Sequence, residues 1–124
     1  MDKAFADAFA RDWVEAWNAH DLDRLLAHFA PDVVWSSPLV VSFTGDDSGV
    51  LHGKEALRAY YAEGLRRIPD LRFEVLSVRV GVAVMVINYR NQNNGEVSEV
   101  LRLRDALVVE GHATYATTYA ATYA

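Results

Sequence analysis

The sequence predicts an α+β fold, in which N-terminal helices pack on one face of an antiparallel sheet formed by the second half of the chain. Apolar residues recur at helical spacing as far as Arg67, whereas four β-rich segments separated by turn residues follow Pro69. Helices that precede a run of strands are typical of this class. The 124 residues, 52% of them hydrophobic, suit a single domain that spans residues 1–124.

Aromatic residues at every fourth position predict the first helix, and they are Phe5, Phe9, Trp13 and Trp17. Asn18, His20 and Asp21 interrupt this pattern with polar side chains. Asp21 is a favourable N-cap for a second, short helix, whose apolar face extends to Phe29. A third helix fits residues 54–67, where apolar positions again follow helical spacing before Pro69 ends the run.

The region between the second and third helices predicts one strand and one loop. Residues 33–37 combine β-branched and aromatic side chains, which favours a strand, and Pro38 implies that this strand lies at a sheet edge or bends there. Residues 42–53 are rich in glycine, aspartate and serine, which is typical of a loop.

Four further strands are expected at 71–80, 82–91, 96–104 and 107 to about 115. Asn94 and Gly95 favour a two-residue type I′ turn, because both accept positive φ angles. A turn there pairs Arg90 with Glu99 across the hairpin. Near-repeats of Ala, Thr and Tyr end the chain, and residues from about 116 to 124 are expected to form a terminal extension.

The same register assigns the two faces of the sheet. Four residues of one strand are expected to face the helices: Val97, Glu99, Leu101 and Leu103. Asn88 is paired with Leu101 on that face. The other face receives an apolar patch from Met85, Ile87 and Tyr89. Because an apolar patch on the outer face of a sheet favours a second subunit, the sequence predicts a homodimer through this face.

Glu99 is the strongest candidate for chemistry, since a carboxyl on an otherwise apolar sheet face needs a partner or takes up a proton. Arg90 is its predicted partner. In a cavity, the guanidinium would hold an anionic or carbonyl-bearing ligand. Glu99 would act as acid, base or anchor, with a pKa raised by apolar walls and lowered by Arg90. The alternative is a structural ion pair across two strands.

Further candidates for ligand contact could give a pocket flat apolar walls and a few polar tips. They are Trp13, Trp17, Trp35 and Tyr60, together with Ser37, Asn88, Leu101 and His112. Aromatic residues at helical spacing are also common core residues, so the aromatic members have that alternative. Ser37 has the strand parity of Trp35 but no evident base beside it, which argues against a serine nucleophile.

Composition argues against several partners and cofactors. With 17 acidic and 12 basic residues and scattered arginines, nucleic acid and anionic membranes are unfavourable partners. The chain has no cysteine, its four histidines lack metal-binding spacing, and its glycines lack a phosphate-binding fingerprint, so we expect neither a metal nor a nucleotide cofactor. Acidic residues near the start and the lack of a long apolar run favour a cytoplasmic protein.

Several segments together resemble the nuclear transport factor 2-like superfamily, in particular its SnoaL-like branch. They are AWNAHDLDRLLAHFAPDVVWSSP, GKEALRAYY, PDLRFEVLSV, and EVLRLRD followed by LVVEGHATY. The resemblance covers nearly the whole chain up to about Tyr115. It implies a cystatin-like curved antiparallel sheet wrapped around N-terminal helices to form a conical cavity. Because this fold hosts isomerases, cyclases, hydrolases, dehydratases and non-catalytic binders, the activity stays open.

Particular enzymes of this fold narrow the chemistry. The chain resembles ketosteroid isomerase along the first helix and strand, but Trp13 stands where that enzyme has a tyrosine and Ser37 where it has its base. Glu99 matches the position of its protonated aspartate. Limonene epoxide hydrolase-like members use carboxylates bridged by an arginine, a role that Arg90 and Glu99 could share in part. SnoaL-type cyclases use an aspartate near a histidine, and no such aspartate lies at the predicted cavity positions.

The sequence therefore predicts a small-molecule-binding protein with an aromatic-lined cavity for an apolar or carbonyl-bearing ligand. Catalysis would be cofactor-free acid/base work on a carbonyl or epoxide, as an isomerase, cyclase or hydrolase, with Glu99 transferring the proton. The alternative is a non-catalytic ligand-binding or dimerisation module in which Arg90 and Glu99 are structural.

Overall fold

The computed structural model describes residues 1–118, which form four helices and one six-stranded sheet. The elements are α1 Lys3–Asn18, α2 Leu22–Leu26, β1 Phe29–Ser36, α3 Pro38–Thr44, β2 Val50–His52, α4 Lys54–Arg67, β3 Glu74–Val80, β4 Val84–Arg90, β5 Glu96–Arg104 and β6 Leu107–Tyr115. The predicted α+β class is confirmed. None of the helices within residues 1–118 is long and apolar enough to cross a membrane.

The strands lie in the order β2-β1-β6-β5-β4-β3. Every neighbouring pair is antiparallel except β1 and β6, which are parallel. This parallel pair joins the C-terminal meander to the first strand of the chain. Because β2 pairs with the other side of β1, β1 is an interior strand and not an edge strand.

Residues 38–52 form helix α3 and the short strand β2, where the sequence predicted the end of a strand and a loop. Ser37 caps α3, since its Oγ accepts a hydrogen bond from the backbone N–H of Leu39 at 3.1 Å, and Pro38 occupies the first turn, where no backbone donor is needed. Gly45 ends this helix with a φ of 76°. The β-branched residues inside α3 have low helix propensity, which obscures the helix in the sequence.

The segment between α4 and β3 is held against α1 by Asn18. The Asn18 side-chain amide donates to the carbonyl oxygen of Phe73 at 2.9 Å, and its Oδ1 accepts from the N–H of Phe73 at 2.8 Å. His20, with a left-handed φ of 54°, places its Nε2 3.0 Å from the carbonyl oxygen of Leu71. The polar break after the first helix therefore fixes the Phe73 ring against Trp13, with centroids 5.9 Å apart.

The β4–β5 hairpin differs from the predicted register by three residues. Ile87 pairs with Glu99 and Arg90 with Glu96, so the predicted pairing of Arg90 with Glu99 is wrong. An odd shift moves every β4 side chain to the other face. Arg90 therefore points outward and lies 3.2 Å from Glu74. The predicted outer apolar patch is also wrong, since its members face the helices and are buried: Met85, Ile87 and Tyr89.

The length of the hairpin loop explains the shift. The N–H of Asn91 bonds to the carbonyl of Gly95, and the N–H of Asn94 bonds to the carbonyl of Asn91, each at 2.9 Å. Asn94 has a φ of 62°. These bonds describe a type I turn closed by a left-handed residue, and not a two-residue type I′ turn. Asn91 Oδ1 also accepts from the N–H groups of Asn93 and Gly95 at 3.0 and 2.9 Å, which stabilises the longer loop.

Two predictions about β5 and β6 hold. The β5 residues expected to face the helices are buried: Val97, Glu99, Leu101 and Leu103. Strand β6 ends at Tyr115, as expected. The expected terminal extension, from about residue 116, falls largely outside the described residues. The division of the chain into one domain and this extension stays a prediction.

Gly111 on β6 is required by the packing of the β1 core residue Trp35. The two residues pair across the parallel strands. A Cβ atom at position 111 would lie 2.4 Å from the Trp35 ring and 3.1 Å from a methyl group of Leu101. Both neighbours are fully or almost fully buried, so the ring cannot move without disturbing the core.

We expect Gly111→Ala to lower the free energy of unfolding by roughly 1–3 kcal/mol, because the added methyl group overlaps the Trp35 ring. Urea denaturation followed by tryptophan fluorescence measures this change. The matched control is Gly64→Ala in α4, where the new Cβ would lie at an ordinary 3.6 Å from Phe43. The control should raise the free energy of unfolding by about 0.5–1 kcal/mol. Equal effects of the two substitutions would contradict the packing argument.

Candidate functional site

A cavity of about 300 Å³ lies between the helices and the sheet face that carries Glu99. Its buried walls are mainly aromatic, contributed by Trp17, Trp35, Tyr60, Tyr61 and Tyr89. Exposed lining residues mark its mouth, and these are Arg67, Asp70 and Asn93. The cavity therefore opens between the C-terminal end of α4 and the β4–β5 loop.

The aromatic walls hold one another in place through edge contacts. The Tyr61 ring lies 4.7 Å from Trp17 and 5.7 Å from Trp35, at interplanar angles of 68° and 82°. Phe73 and Tyr89 form a further pair with centroids 4.4 Å apart. Edge-to-face and tilted packing of this kind favours fixed ring positions. The cavity is consequently shaped by side chains that are already packed.

Glu99 places a carboxyl group in these apolar surroundings, with only 5% of its surface exposed. Its Oε1 accepts a hydrogen bond from the Tyr89 hydroxyl at 2.9 Å, and its Oε2 has no hydrogen-bond partner within residues 1–118. Burial raises the pKa of Glu99 to about 7, while the Tyr89 hydrogen bond lowers it by less. A group with this pKa can both take up and release a proton near neutral pH.

The neighbouring tyrosines stay neutral and can only donate or accept hydrogen bonds. Burial raises the pKa of Tyr61 and of Tyr89 well above the usual range, and the Glu99 charge adds to the effect in both cases. Burial likewise raises the pKa of Tyr60, although a hydrogen bond with Ser37 opposes the shift. Glu99 is thus the buried lining group that titrates near neutral pH.

Several buried polar atoms on lining residues have no hydrogen-bond partner in the part of the chain that the structure describes. They are Trp17 Nε1, Trp35 Nε1, Tyr61 Oη, Gln92 Oε1 and Glu99 Oε2. Buried polar groups in native proteins are nearly always paired, and leaving one unpaired costs about 1–3 kcal/mol. Indole N–H and phenol O–H groups are donors. Three of these groups are donors and two are acceptor oxygens, so the lining residues carry unpaired polar groups of both kinds.

Four of the predicted site residues line the cavity: Trp17, Trp35, Tyr60 and Glu99. Three other predicted site residues lie on the same side of the sheet but outside the cavity. Trp13 is a core residue behind Phe73 and Tyr89, Ser37 caps α3, and Leu101 is fully buried. None of these three is a lining residue of the cavity, and their part in ligand contact stays a prediction.

The remaining predicted site residues, Arg90, Asn88 and His112, lie on the outer face of the sheet. Asn88 pairs with Ser98 and not with Leu101, and its amide donates to Ser77 Oγ at 2.9 Å. His112 bridges Ser36 and Glu110, with its Nε2 2.7 Å from Glu110 Oε2. This Ser-His-Glu chain lies away from the cavity on interior strands whose backbone N–H groups bond to the carbonyl oxygens of neighbouring strands, so we assign it a structural role.

Most of the lining residues were not predicted from the sequence, and four that bear on the chemistry are Arg67, Phe73, Tyr89 and Gln92. A longer hairpin loop, had it been assumed, would have predicted Tyr89 as a lining residue. It shifts the β4–β5 register by three residues and places Tyr89 beside Glu99. Phe73 has no local signal, since Asn18 determines its position. Within the described residues, no cluster of three or more His, Asp or Glu side chains could hold a metal ion.

Solved structures with the same fold include a close relative and several distant ones. A SnoaL-like protein of unknown function from Burkholderia thailandensis is 45% identical, with a TM-score of 0.88 over 93% of this chain and 97% of that one. A candidate hydroxylase from Streptomyces galilaeus is 22% identical, with a TM-score of 0.72 over 94% and 92% of the two chains. A candidate ketosteroid isomerase from Kribbella flavida is 17% identical, with a TM-score of 0.70 over 94% and 81%.

The last two similarities show the fold alone. No curated protein matches the chain. The family model of the SnoaL-like domain matches residues 10–123, which is most of the sequence, and other solved structures with this fold are described as cystatin-like or nuclear transport factor 2-like. The chain therefore belongs to the SnoaL-like domain family.

Proposed function

We propose that the protein binds a small, mostly apolar, carbonyl-bearing molecule in its cavity and acts on it by cofactor-free acid/base chemistry. The observation that carries this proposal is the buried Glu99 carboxyl, which has one unpaired oxygen and a pKa near 7 in an aromatic cavity. Such a strongly perturbed group in a cleft is typical of a functional site. The sequence had suggested Arg90 as its partner, and Tyr89 takes that place.

The cavity volume limits the size of the ligand. About 300 Å³ is at the lower end of the range for small-molecule sites. Counting ~30 Å³ for each water-sized group, this space holds on the order of ten non-hydrogen atoms. A ligand of this size is a single-ring compound or a short branched one, and larger substrates would extend through the mouth.

The arrangement supports proton transfer next to a polarised oxygen. Ionised Glu99 would take a proton from a carbon beside the ligand carbonyl, and the protonated form would return it to another position, which isomerises the ligand. The donors of Trp17, Trp35 and Tyr61, which have no partner among the described residues, would hydrogen-bond the oxygen on which negative charge develops if the ligand brings it within their reach. Protonation of an epoxide oxygen by the acid form would use the same groups.

A second candidate is a non-catalytic binding protein of the same family. The other charged lining residues, Arg67 and Asp70, are exposed at the mouth, so among residues 1–118 Glu99 has no second charged group beside it in the cavity. A single carboxyl with a pKa near 7 could serve as a hydrogen-bond anchor without turnover. A copurified ligand that is bound and released unchanged would favour this role.

We also propose that the protein forms a homodimer through the outer face of the sheet. Support comes from Val86 and Val100, which pair across β4 and β5 and remain partly exposed on that face. The nearby ion pair of Arg102 with Glu110 gives the valines a polar surround. A cytoplasmic location stays a prediction from the composition.

Glu99→Gln should lower kcat/KM by about 10²–10⁴ on any substrate found in a panel of small ketones, epoxides and lactones, because the proton-transfer group is lost. Steady-state rates of the purified proteins provide the measurement. Glu96→Gln is the matched control, since it changes an exposed carboxylate on the same strand. Equal rates for wild type and Glu99→Gln would reduce Glu99 to a structural or anchoring residue.

The stability of the protein should fall with rising pH because of Glu99. Its pKa is raised from an ordinary value of 4.5 to about 7, so the carboxyl is protonated in the folded state and ionised in the unfolded state between these values. Stability from this group is present below pH 4.5 and is lost as pH rises through 7.

Urea unfolding of wild type and Glu99→Gln at pH 5 and pH 8 tests this linkage. From pH 5 to pH 8, the free energy of unfolding of Glu99→Gln should rise by about 2–3 kcal/mol relative to that of the wild type. Contributions of other titrating groups cancel in this comparison. A pH-independent difference would show that the pKa of Glu99 is ordinary.

Sedimentation equilibrium at micromolar concentration should give a dimer for the wild type. Val100→Asp places a charge in the proposed interface and should give a monomer. The control, Val82→Asp, changes a residue that is 93% exposed in the β3–β4 turn and should remain dimeric. A monomeric wild type would remove the dimer proposal.

A further inference from the structure

Arg67 is held at the mouth of the cavity by two contacts that leave part of its guanidinium exposed. Its guanidinium carbon lies 4.6 Å from the centroid of the Phe43 ring, a cation–π contact. Its Nε is 3.7 Å from Glu63 Oε1, which is an ion pair but too long for a hydrogen bond. Glu63 is bound more closely by Arg66, at 2.5 Å. The interaction of Arg67 with Glu63 is therefore weak, and 37% of the Arg67 side chain remains exposed to a ligand.

The other side of the cavity mouth is formed by amide side chains of the β4–β5 loop. Asn91, Gln92 and Asn93 all line the cavity, and the loop that carries them is stabilised by the hydrogen bonds of Asn91 Oδ1. Gln92 Oε1 is buried and unpaired. The assignment of amide oxygen and nitrogen can be exchanged by rotating the side chain, so Gln92 can present either group to a ligand. The β4–β5 loop thus offers neutral polar contacts at the mouth that also carries the Arg67 guanidinium.

Asp70 is the acidic residue on the same rim, so its effect on an anion has to be weighed. The Asp70 carboxylate is exposed and has no ion pair or hydrogen bond among the described residues. An exposed, unrestrained carboxylate is well solvated and its field is screened by salt. Arg67 is held from two sides and presents a planar fork of donors, which matches a carboxylate better than a point charge does.

We infer that the ligand is a small carbonyl acid, whose carboxylate binds Arg67 at the mouth while its carbonyl group reaches the buried end near Glu99. The inference rests on the proposed function for the role of Glu99, and it adds the anionic group and its binding residue. Both residues line the cavity, Arg67 exposed at its mouth and Glu99 buried, and much of the remaining lining is aromatic and accommodates an apolar body. A molecule with a polar group at each end satisfies all three regions.

The experiment measures binding of matched probes by the quenching of tryptophan fluorescence, since Trp17 and Trp35 line the cavity. The probes are 4-acetylbenzoate, its neutral amide 4-acetylbenzamide, and the cationic 4-acetylbenzylammonium ion. Wild type should bind the carboxylate about tenfold more tightly than the amide, as expected for a partly exposed charge-assisted pair. The preference should decrease with added salt.

Arg67→Gln should bind the carboxylate and the amide equally, with an unchanged affinity for the amide. Arg66→Gln removes a neighbouring positive charge outside the cavity lining and should keep the full preference. Arg67→Lys keeps the positive charge but loses the paired N–H donors of the guanidinium. We expect it to prefer the carboxylate over the amide by less than the wild type does. Circular dichroism spectra that match the wild type establish that each variant is folded.

Three outcomes would overturn the inference: equal binding of carboxylate and amide to the wild type, a preference that survives Arg67→Gln, and tighter binding of the cationic probe, which would assign the mouth to Asp70. Failure of every probe to bind at millimolar concentration would also reject the carbonyl acid class. The readout is binding, so it is independent of turnover. If Glu99→Gln proves fully active, the acid/base mechanism fails while a carboxylate preference lost in Arg67→Gln still stands.

Discussion

The register of β4 against β5 determines the chemistry of the cavity. Because Ile87 lies opposite Glu99, Tyr89 is the diagonal neighbour of Glu99 on the inner face, close enough for a hydrogen bond. The same register turns Arg90 outward, where it pairs with Glu74. Glu99 is therefore desolvated beside a neutral hydroxyl and not beside a cation. A buried arginine in contact would favour the ionised carboxyl and lower its pKa, so the position of one arginine decides whether Glu99 can exchange a proton near pH 7.

Local patterns in the sequence predicted the α+β class, the first helix, α4 and the inner face of β5. The hairpin register was not predictable from the Asn94 and Gly95 dipeptide, because the bonds of the Asn91 side chain select a longer loop. A difference of three residues leaves the β5 faces unchanged and reverses those of β4. The sequence signal for the strands was thus correct, while the relation between them was not.

The aromatic spacing of α1 likewise predicted a helix but could not separate core residues from lining residues. Trp13 and Trp17 lie one turn apart on the same apolar face. Phe73 and Tyr89 contact Trp13 at 5.9 and 5.2 Å and cover it, whereas Trp17 lines the cavity. Both covering residues come from the second half of the chain. Long-range packing therefore decides which residue can touch a ligand, and helical periodicity alone does not carry that information.

The contact between Asn18 and Phe73 ties the cavity wall to the first helix. Phe73 precedes the first paired residue of β3, and the Asn18 side chain binds both its backbone N–H and its carbonyl group. If α1 separates from the sheet, these bonds and the ring contacts of Phe73 with Trp13 and Trp17 are lost in the same step. Helix α1 and the wall segment consequently form one cooperative unit of local unfolding. The binding space exists only while that unit is closed, and a ligand that fills it must slow the hydrogen exchange of the Phe73 amide.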